Sequence, residues 1–93
     1  MTDPRTNQPI PAPPSGLKPT PVQNRVPWGS PERADYIREW YRLGYDTPAE
    51  GWSKYDIHHI IPREFGGTND FANLVPVLRD AHQLLLNVWW MGY

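Results

Sequence analysis

Proline is concentrated at the start of this 93-residue chain, where nine of its twelve prolines fall within residues 1–31. The stretch PIPAPPSGLKPTPVQ has no apolar periodicity, and each proline removes a backbone hydrogen-bond donor. Such a segment is expected to be extended and polyproline-like, without a core of its own. We therefore divide the chain into a Pro-rich tail or linker, residues 1–27, and a folded domain, residues 28–93. A tail that docks on a partner is the alternative interpretation of the first segment.

The remaining domain is small, and a core of this size is marginal unless a metal, a partner or disulfides add stability. The chain has no cysteine, so a metal or a partner is the expected source of that stability. Its apolar runs are far shorter than the roughly 18 residues that suggest a membrane span. The start MTDPRTNQPI lacks the apolar segment of a signal peptide. With the Pro-rich lead, this favours a fragment of a longer protein.

The first half of the domain predicts one helix, over about 31–43. Ser30-Pro31-Glu32 has the features of a helix start, with Ser30 as the N-cap. Gly44 is expected to end the helix, and residues 44–54 are expected to form a loop. The apolar residues at helical spacing that predict the inward face are Ala34, Ile37, Trp40 and Tyr41.

The second half predicts two short strands, over 55–60 and 74–77, joined by the turn-rich loop 62–73. Pro76 places the second strand at a sheet edge. A helix is expected from about Leu78 to Met91, ended by Gly92. Its expected inward residues are Leu78, Ala81, Leu85 and either Val88 or Trp89. The order of elements predicts an α+β fold.

All three histidines of the chain lie in this strand–loop–strand–helix unit. His58 and His59 are adjacent on the first strand, and His82 lies in the second turn of the helix. Neutral imidazole is the commonest metal ligand among side chains, so strand and helix could clasp an ion between them. Adjacent strand residues point to opposite faces. Either the strand is irregular there, or one of the two strand histidines belongs to the core.

Polar residues around the histidines are candidates for supporting roles. Asn73 has donor and acceptor capacity and can tie one backbone segment to another; a simple turn is the alternative. Gly66-Gly67 forms a tight turn that could also admit a phosphate group. Asp56 and Asp80 are possible hydrogen-bond partners for an imidazole N–H.

Two arginines near the histidines could contact phosphate. Arg63 follows His59 by four residues in the loop, and Arg79 precedes His82 by about one helical turn. Either guanidinium could bind phosphate oxygens in a bidentate manner, and a solvated surface arginine is the alternative for each. The pair Trp89-Trp90 is interpreted as core, with base stacking as the alternative.

The segment DIHHIIPREFGGTNDFANLVPVLRDAHQ resembles the HNH, or ββα-metal (His-Me finger), endonuclease motif. The shared pattern is a His-His pair, an I-x-P step, a Gly-Gly loop, an Asn-Leu pair that opens the second strand, and a helical histidine. The resemblance is closest to colicin-like nucleases and the toxin domains of polymorphic bacterial effectors. It covers about residues 55–90, under half of the chain, and implies a ββα-metal core with one preceding helix.

The resemblance assigns roles to individual residues. His58 matches the first metal ligand, His82 matches the helical metal ligand, and His59 matches the general base. Asn73 matches the asparagine that braces the loop, and Arg63 is counted with the catalytic group. Colicin-like nucleases carry a further histidine ligand where this chain has Leu86. Two protein ligands leave positions for water and phosphate, which favours Mg²⁺ or Mn²⁺, with Zn²⁺ or Ni²⁺ as alternatives.

The function implied by the resemblance is a metal-dependent DNase of low sequence specificity. It would be the toxin domain of an antibacterial effector, delivered into the cytoplasm of a target cell and held by an immunity protein. Charge argues against a DNA substrate, because the domain has six basic residues against nine acidic ones. A non-catalytic metal-binding module for DNA or protein is the alternative, and an RNA-cleaving toxin is another.

Overall fold

The computed structural model of the chain describes residues 2–12, 14–80 and 82, which form an α+β fold. Within this part of the chain, helix α1 (Ser30–Arg42) packs beside two antiparallel strands, β1 (Tyr55–His59) and β2 (Leu74–Leu78). The connecting segments contain 3₁₀ helices of one turn each, two of them in the loop between β1 and β2. No helix in the described ranges is long and apolar enough to cross a membrane.

Helix α1 begins one residue earlier than the sequence predicts. Gly29 is the N-cap and Ser30 the first helical residue, so the expected capping role of Ser30 is wrong and no side chain caps this end. Pro31 lies in the first turn, where its missing N–H costs nothing. At the other end, Gly44 adopts a φ of +91°, as a residue that terminates a helix often does.

The buried face of α1 differs from the predicted stripe. Tyr36 and Trp40 are buried, one turn apart, whereas Tyr41 is 45% exposed. Trp40 thus confirms part of the prediction, and Tyr36, which the stripe omitted, donates a hydrogen bond from its hydroxyl to the Leu74 carbonyl at 3.3 Å. The side chains of Tyr36 and Trp40 then pack with Ile57 and Leu74, which fixes the rotation of α1 on the sheet.

The two strands pair in one continuous register from Tyr55↔Leu78 to His59↔Leu74. Side chains alternate between the faces, so Ile57 and Leu74 lie against α1, while Asp56, His58 and Val75 lie on the opposite face. Pro76 pairs at the centre of β2, which a two-stranded sheet tolerates because each strand is an edge.

Strand β2 continues through Leu78, which is 48% exposed. The expected role of Leu78 as an inward residue at the start of the last helix is therefore wrong. Helical backbone begins at Arg79 and includes Asp80 and His82. The other residues assigned to that helix lie outside the described residues: Ala81, Leu85, Leu86, Val88, Trp89, Trp90, Met91 and Gly92.

The Pro-rich segment contacts the sheet, which its composition does not predict. Ile10 is 6% exposed and packs with Val75 and Val77 on the sheet face opposite α1. The Arg5 guanidinium pairs with Asp3. It also stacks 5.1–5.5 Å from the ring centroids of three aromatic residues, which are Trp40, Tyr45 and Phe71. This segment therefore contributes to the core of the domain.

Truncating Ile10 tests this contact. Ile10→Ala should lower the free energy of unfolding by about 2–4 kcal/mol, the usual loss when a buried aliphatic side chain is cut back. Urea denaturation followed by tryptophan fluorescence measures it. The matched control is Val22→Ala, since Val22 is 72% exposed and should change stability by less than about 0.5 kcal/mol. Equal midpoints for the two variants would show that Ile10 is not part of the core.

Candidate functional site

His58 of β1 and His82 of the helical segment meet on the sheet face opposite α1. His58 Nδ1 lies 3.0 Å from His82 Nε2, and the two rings are nearly perpendicular, with an interplanar angle of 74°. His58 is 2% exposed and His82 is partly buried. The structure thus brings together the two residues expected to bind a metal.

Asp56 fixes which nitrogen of His82 faces His58. Asp56 lies two residues before His58 and therefore on the same face of β1. Its Oδ2 lies 3.1 Å from His82 Nδ1. An ionised carboxylate only accepts hydrogen bonds, so His82 Nδ1 donates to Asp56. When the ring of His82 carries this one proton, its Nε2 has the lone pair, and His58 Nδ1 is the donor in the hydrogen bond between the two rings. Of the two acidic residues proposed as imidazole partners, Asp56 makes the contact, while Asp80 is exposed.

The charge of Asp56 is maintained by its neighbours. Partial burial favours the neutral acid, but hydrogen bonds from Arg79 and His82 together outweigh it and hold the pKa of the Asp56 carboxyl below its ordinary value. Arg79 Nε lies 2.9 Å from Asp56 Oδ1. The arginine expected at phosphate is therefore paired with this carboxylate.

The spacing of the two facing nitrogens, His58 Nδ1 and His82 Nε2, fits two ligands of one divalent metal ion. Two nitrogens bound to one ion at about 2.1 Å lie roughly 3.0–3.4 Å apart for octahedral or tetrahedral angles, and the observed separation is 3.0 Å. Burial, and to a smaller extent the charges of His82 and His59, lower the pKa of His58 to about 4. His58 is thus neutral at physiological pH. A metal ion between the two rings would take the place of the proton that His58 Nδ1 shares with His82 Nε2, because only a ring nitrogen with a lone pair binds metal. Within residues 2–12, 14–80 and 82, no group of three or more metal-binding side chains is found.

The side chain of His59, the last residue of β1, projects from the other face of the strand. Its ring packs edge-on against Trp28, with centroids 4.8 Å apart and an interplanar angle of 86°. Its Nε2 lies 2.9 Å from Asn69 Oδ1. Burial lowers the pKa of His59 and outweighs the hydrogen bond with Asn69, which raises it; the nearby charges of Arg63 and Glu64 act in opposite directions. His59 is thus neutral at physiological pH.

The adjacent histidines reach one cleft without a bulge in the strand. The register through His58 and His59 is regular, so their side chains do leave opposite faces. A cleft of about 220 Å³ lies at this end of β1, and both histidines border it together with His82. Because His59 is the last residue of the strand, a cleft at the strand end can be bordered from both faces.

Asn73 ties the loop between the strands to the end of β1. Its Oδ1 accepts from the Ile61 N–H at 2.9 Å, and its Nδ2 donates to the carbonyls of Ile61, at 3.1 Å, and Thr68, at 2.9 Å. Every one of these partners is backbone. The side chain therefore holds both ends of the loop that follows His59.

The Gly66-Gly67 turn closes the same loop. Gly66 adopts a φ of +87°, which favours glycine. A Cβ on Gly67 would lie 1.6 Å from the Ile61 carbonyl oxygen. The lack of a side chain at Gly67 thus allows the backbone of this loop to pack closely against the backbone at Ile61.

The cleft has one arginine on its border. Arg63 Nη1 donates to the Val26 carbonyl at 3.1 Å, and Arg63 borders the cleft. A hydrogen bond to a carbonyl does not neutralise the guanidinium, in contrast to the Arg79–Asp56 ion pair, and the Glu64 carboxylate borders the same cleft. Of the two candidate phosphate ligands, Arg63 is thus the better placed.

Three residues at the site were not predicted from the sequence. Trp28 and Glu64 border the cleft, and Asn69 contacts His59. The sequence surrounding Asn69, GGTND, has the composition of a turn, which explains its other residues equally well. Trp28 is separated from His59 by thirty residues, and no periodicity links them.

No protein-family model matches the chain, and neither the curated proteins nor the solved structures yield a match.

Substituting Gly67 tests the loop that supports the site. Gly67→Ala should destabilise the fold by about 3 kcal/mol, because its methyl group meets backbone that cannot move aside. The matched control is Gly44→Ala, where no atom lies within 4 Å and only the positive φ opposes the change; about 1 kcal/mol is expected. Urea midpoints decide the comparison. A loss for Gly67→Ala no larger than the control's would mean that the loop adopts another conformation.

Proposed function

We propose that the chain is a metal-dependent endonuclease of the HNH, ββα-metal type. The observation that carries the proposal is the pair His58 Nδ1 and His82 Nε2, 3.0 Å apart, with Asp56 behind His82. A third imidazole, His59, borders the same cleft. A purely structural metal site has no need of an additional histidine beside its ligands, whereas hydrolysis needs a base next to the metal.

His58 and His82 are the residues that would hold the divalent cation. When bound, the cation supplies Lewis-acid stabilisation of the negative charge that develops on the phosphate and the leaving oxygen. A carboxylate behind a ligating imidazole fixes the ring and raises its basicity as a ligand, which is the role of Asp56 here. Two protein ligands leave room for water and phosphate, which favours Mg²⁺ or Mn²⁺. Imidazole also suits Zn²⁺ and Ni²⁺.

His59 is the general base in this proposal. Its neutral ring takes a proton, at the ring nitrogen that carries none, from the water that attacks phosphorus. The bond between phosphorus and the 3′ oxygen breaks, and that oxygen leaves with a proton from solvent. The edge of Trp28 and the amide of Asn69 restrict the ring of His59, so that it is oriented before substrate arrives.

Arg63 and Asn73 serve the same reaction in different ways. Arg63 borders the cleft beside Glu64, and its guanidinium would attract a phosphate of the substrate. Asn73 acts through the loop, because it holds the backbone that follows His59. Contacts to the phosphate backbone carry little sequence information, so DNA cleavage of low specificity is expected. Resemblance to toxin nucleases extends the proposal to an immunity protein as partner.

A binding module is the second candidate, and charge favours it. Residues 28–93 have a net charge of −3, and Arg79 is paired with Asp56. A DNA-binding surface usually carries unpaired basic residues. The same two-histidine site would then stabilise a domain that binds a protein partner. Metal binding without cleavage is its signature.

Cleavage with variants of His59 and His82 tests the proposal. The full chain should nick supercoiled plasmid with Mg²⁺ or Mn²⁺, and EDTA should stop it. His59→Ala should reduce the rate by about 10²–10⁴-fold, the usual contribution of a general base, with Mn²⁺ affinity retained in calorimetry. His82→Ala should lose Mn²⁺ affinity as well. The assay is repeated with Zn²⁺ and Ni²⁺, and with RNA as substrate.

The control for both variants is Arg38→Ala, because Arg38 is exposed on α1, away from the cleft. Its cleavage rate should equal that of the unchanged chain. Metal binding with no cleavage of DNA or RNA would favour the binding module. Cleavage by His59→Ala at the unchanged rate would remove His59 from the role of base.

The carboxylate behind His82 gives a separate prediction. Asp56→Asn should weaken Mn²⁺ binding by about 10–100-fold, as loss of a carboxylate partner of a ligating histidine does. Arg79→Gln is the matched control, because it removes the other partner of the same carboxylate and should change Mn²⁺ affinity less than about threefold. Calorimetric titration measures both. Equal affinity in Asp56→Asn and the unchanged chain would show that Asp56 does not support a ligand.

A further inference from the structure

The side chain of Asn69 bridges His59 and the backbone of the segment that precedes α1. Asn69 Nδ2 donates to the Pro27 carbonyl at 2.9 Å. Asn69 Oδ1 lies 2.9 Å from His59 Nε2. One amide thus connects the proposed base to residue 27, which is 32 positions before it in the chain. Neither metal binding at His58 and His82 nor phosphate binding at Arg63 uses this bridge.

The bridge determines which nitrogen of His59 carries the proton. A carbonyl oxygen only accepts hydrogen bonds, so the amino group of Asn69 must face Pro27. The oxygen of the same amide then faces His59, and it too can only accept. His59 Nε2 must therefore be the protonated nitrogen. In the neutral ring the other nitrogen, Nδ1, keeps its lone pair.

We infer that Asn69 is a positioning residue that holds His59 in the Nε2–H form and thereby makes Nδ1 the atom that accepts the proton from water. The inference rests on the proposed function for the role of Nδ1, and on geometry alone for the protonated nitrogen. It identifies the reacting atom of the base, which the resemblance to HNH nucleases does not supply for this chain.

The segment that holds Asn69 is itself attached to the loop beside the cleft. The Thr20 N–H donates to the Glu64 carbonyl at 2.6 Å, and Arg63 donates to the Val26 carbonyl at 3.1 Å. Trp28, the next residue after Pro27, packs against the His59 ring. The backbone at residues 20–28 is thus fixed on both sides of the Pro27 carbonyl. A carbonyl held in this way can orient an amide, and through it a ring.

The test observes the ring proton directly, in ¹H–¹⁵N spectra of the full chain recorded at pH 8. In the unchanged chain, His59 should show a proton on Nε2 that exchanges slowly with water, and none on Nδ1. Asn69→Leu, which keeps the volume and removes the amide, should lose the slow exchange. Asn69→Asp should keep it, because a carboxylate still accepts from Nε2–H. Asn24→Leu, at an exposed asparagine in the 3₁₀ turn that precedes α1, is the matched control and should leave it unchanged.

Cleavage provides the second measurement. Asn69→Leu should lower the plasmid-nicking rate by about 10–100-fold, as misplacement of a reacting group does, with unchanged Mn²⁺ affinity. A His59 proton found on Nδ1, or exchange on Nε2 equally slow in Asn69→Leu, overturns the inference. Because the ring proton is measured without metal or substrate, this result stands apart from the outcome of the nuclease assay. A chain that cleaves nothing but shows the protected Nε2–H contradicts the proposed function and supports the positioning contact.

Discussion

The pairing of β1 with β2 determines where every histidine contact at the site can form. A regular antiparallel register sends Asp56 and His58 to one face and Ile57 and His59 to the other. One face can therefore bring His58 and His82 together while the other carries His59 and packs on α1. An isolated two-stranded sheet is marginally stable in water, so the site depends on what covers both faces of this sheet.

The two faces of the sheet are covered by separate segments that precede β1 in the chain. Helix α1 packs on one face through Tyr36 and Trp40. Ile10 packs on the other face beside Val75, the face on which His82 meets His58. A chain of this size without disulfides has little core to spare, and the aliphatic and stacked side chains of a Pro-rich segment enlarge it. Proline lowers the entropy that such a segment loses when it becomes ordered.

The sequence predicted the elements better than their contacts. Periodicity locates α1 and both strands within one or two residues, and the resemblance to HNH nucleases already implies that His58 and His82 lie together. The buried face of α1 was predicted in part: Trp40 is buried as expected, whereas Tyr36, which the pattern omitted, is buried and donates a hydrogen bond to a carbonyl of β2. Contacts between distant segments, such as Ile10 with the sheet or Asn69 with Pro27, involve residue types that are common in loops. The local sequence around these residues therefore does not predict the contacts they make.

The arrangement of hydrogen-bond partners separates two roles for chemically identical rings. His82 is backed by a carboxylate, which stabilises positive charge and suits a ring that faces a cation. His59 is backed by an amide that carries no charge and orients the ring, and burial lowers the pKa of His59 more than the hydrogen bond with Asn69 raises it. The proposed function needs this difference between ligand and base, since a base that is already protonated at neutral pH cannot accept a proton from water. The two partners, Asp56 and Asn69, thus place the rings of His82 and His59 in different hydrogen-bonding surroundings, which suit the two roles proposed for them.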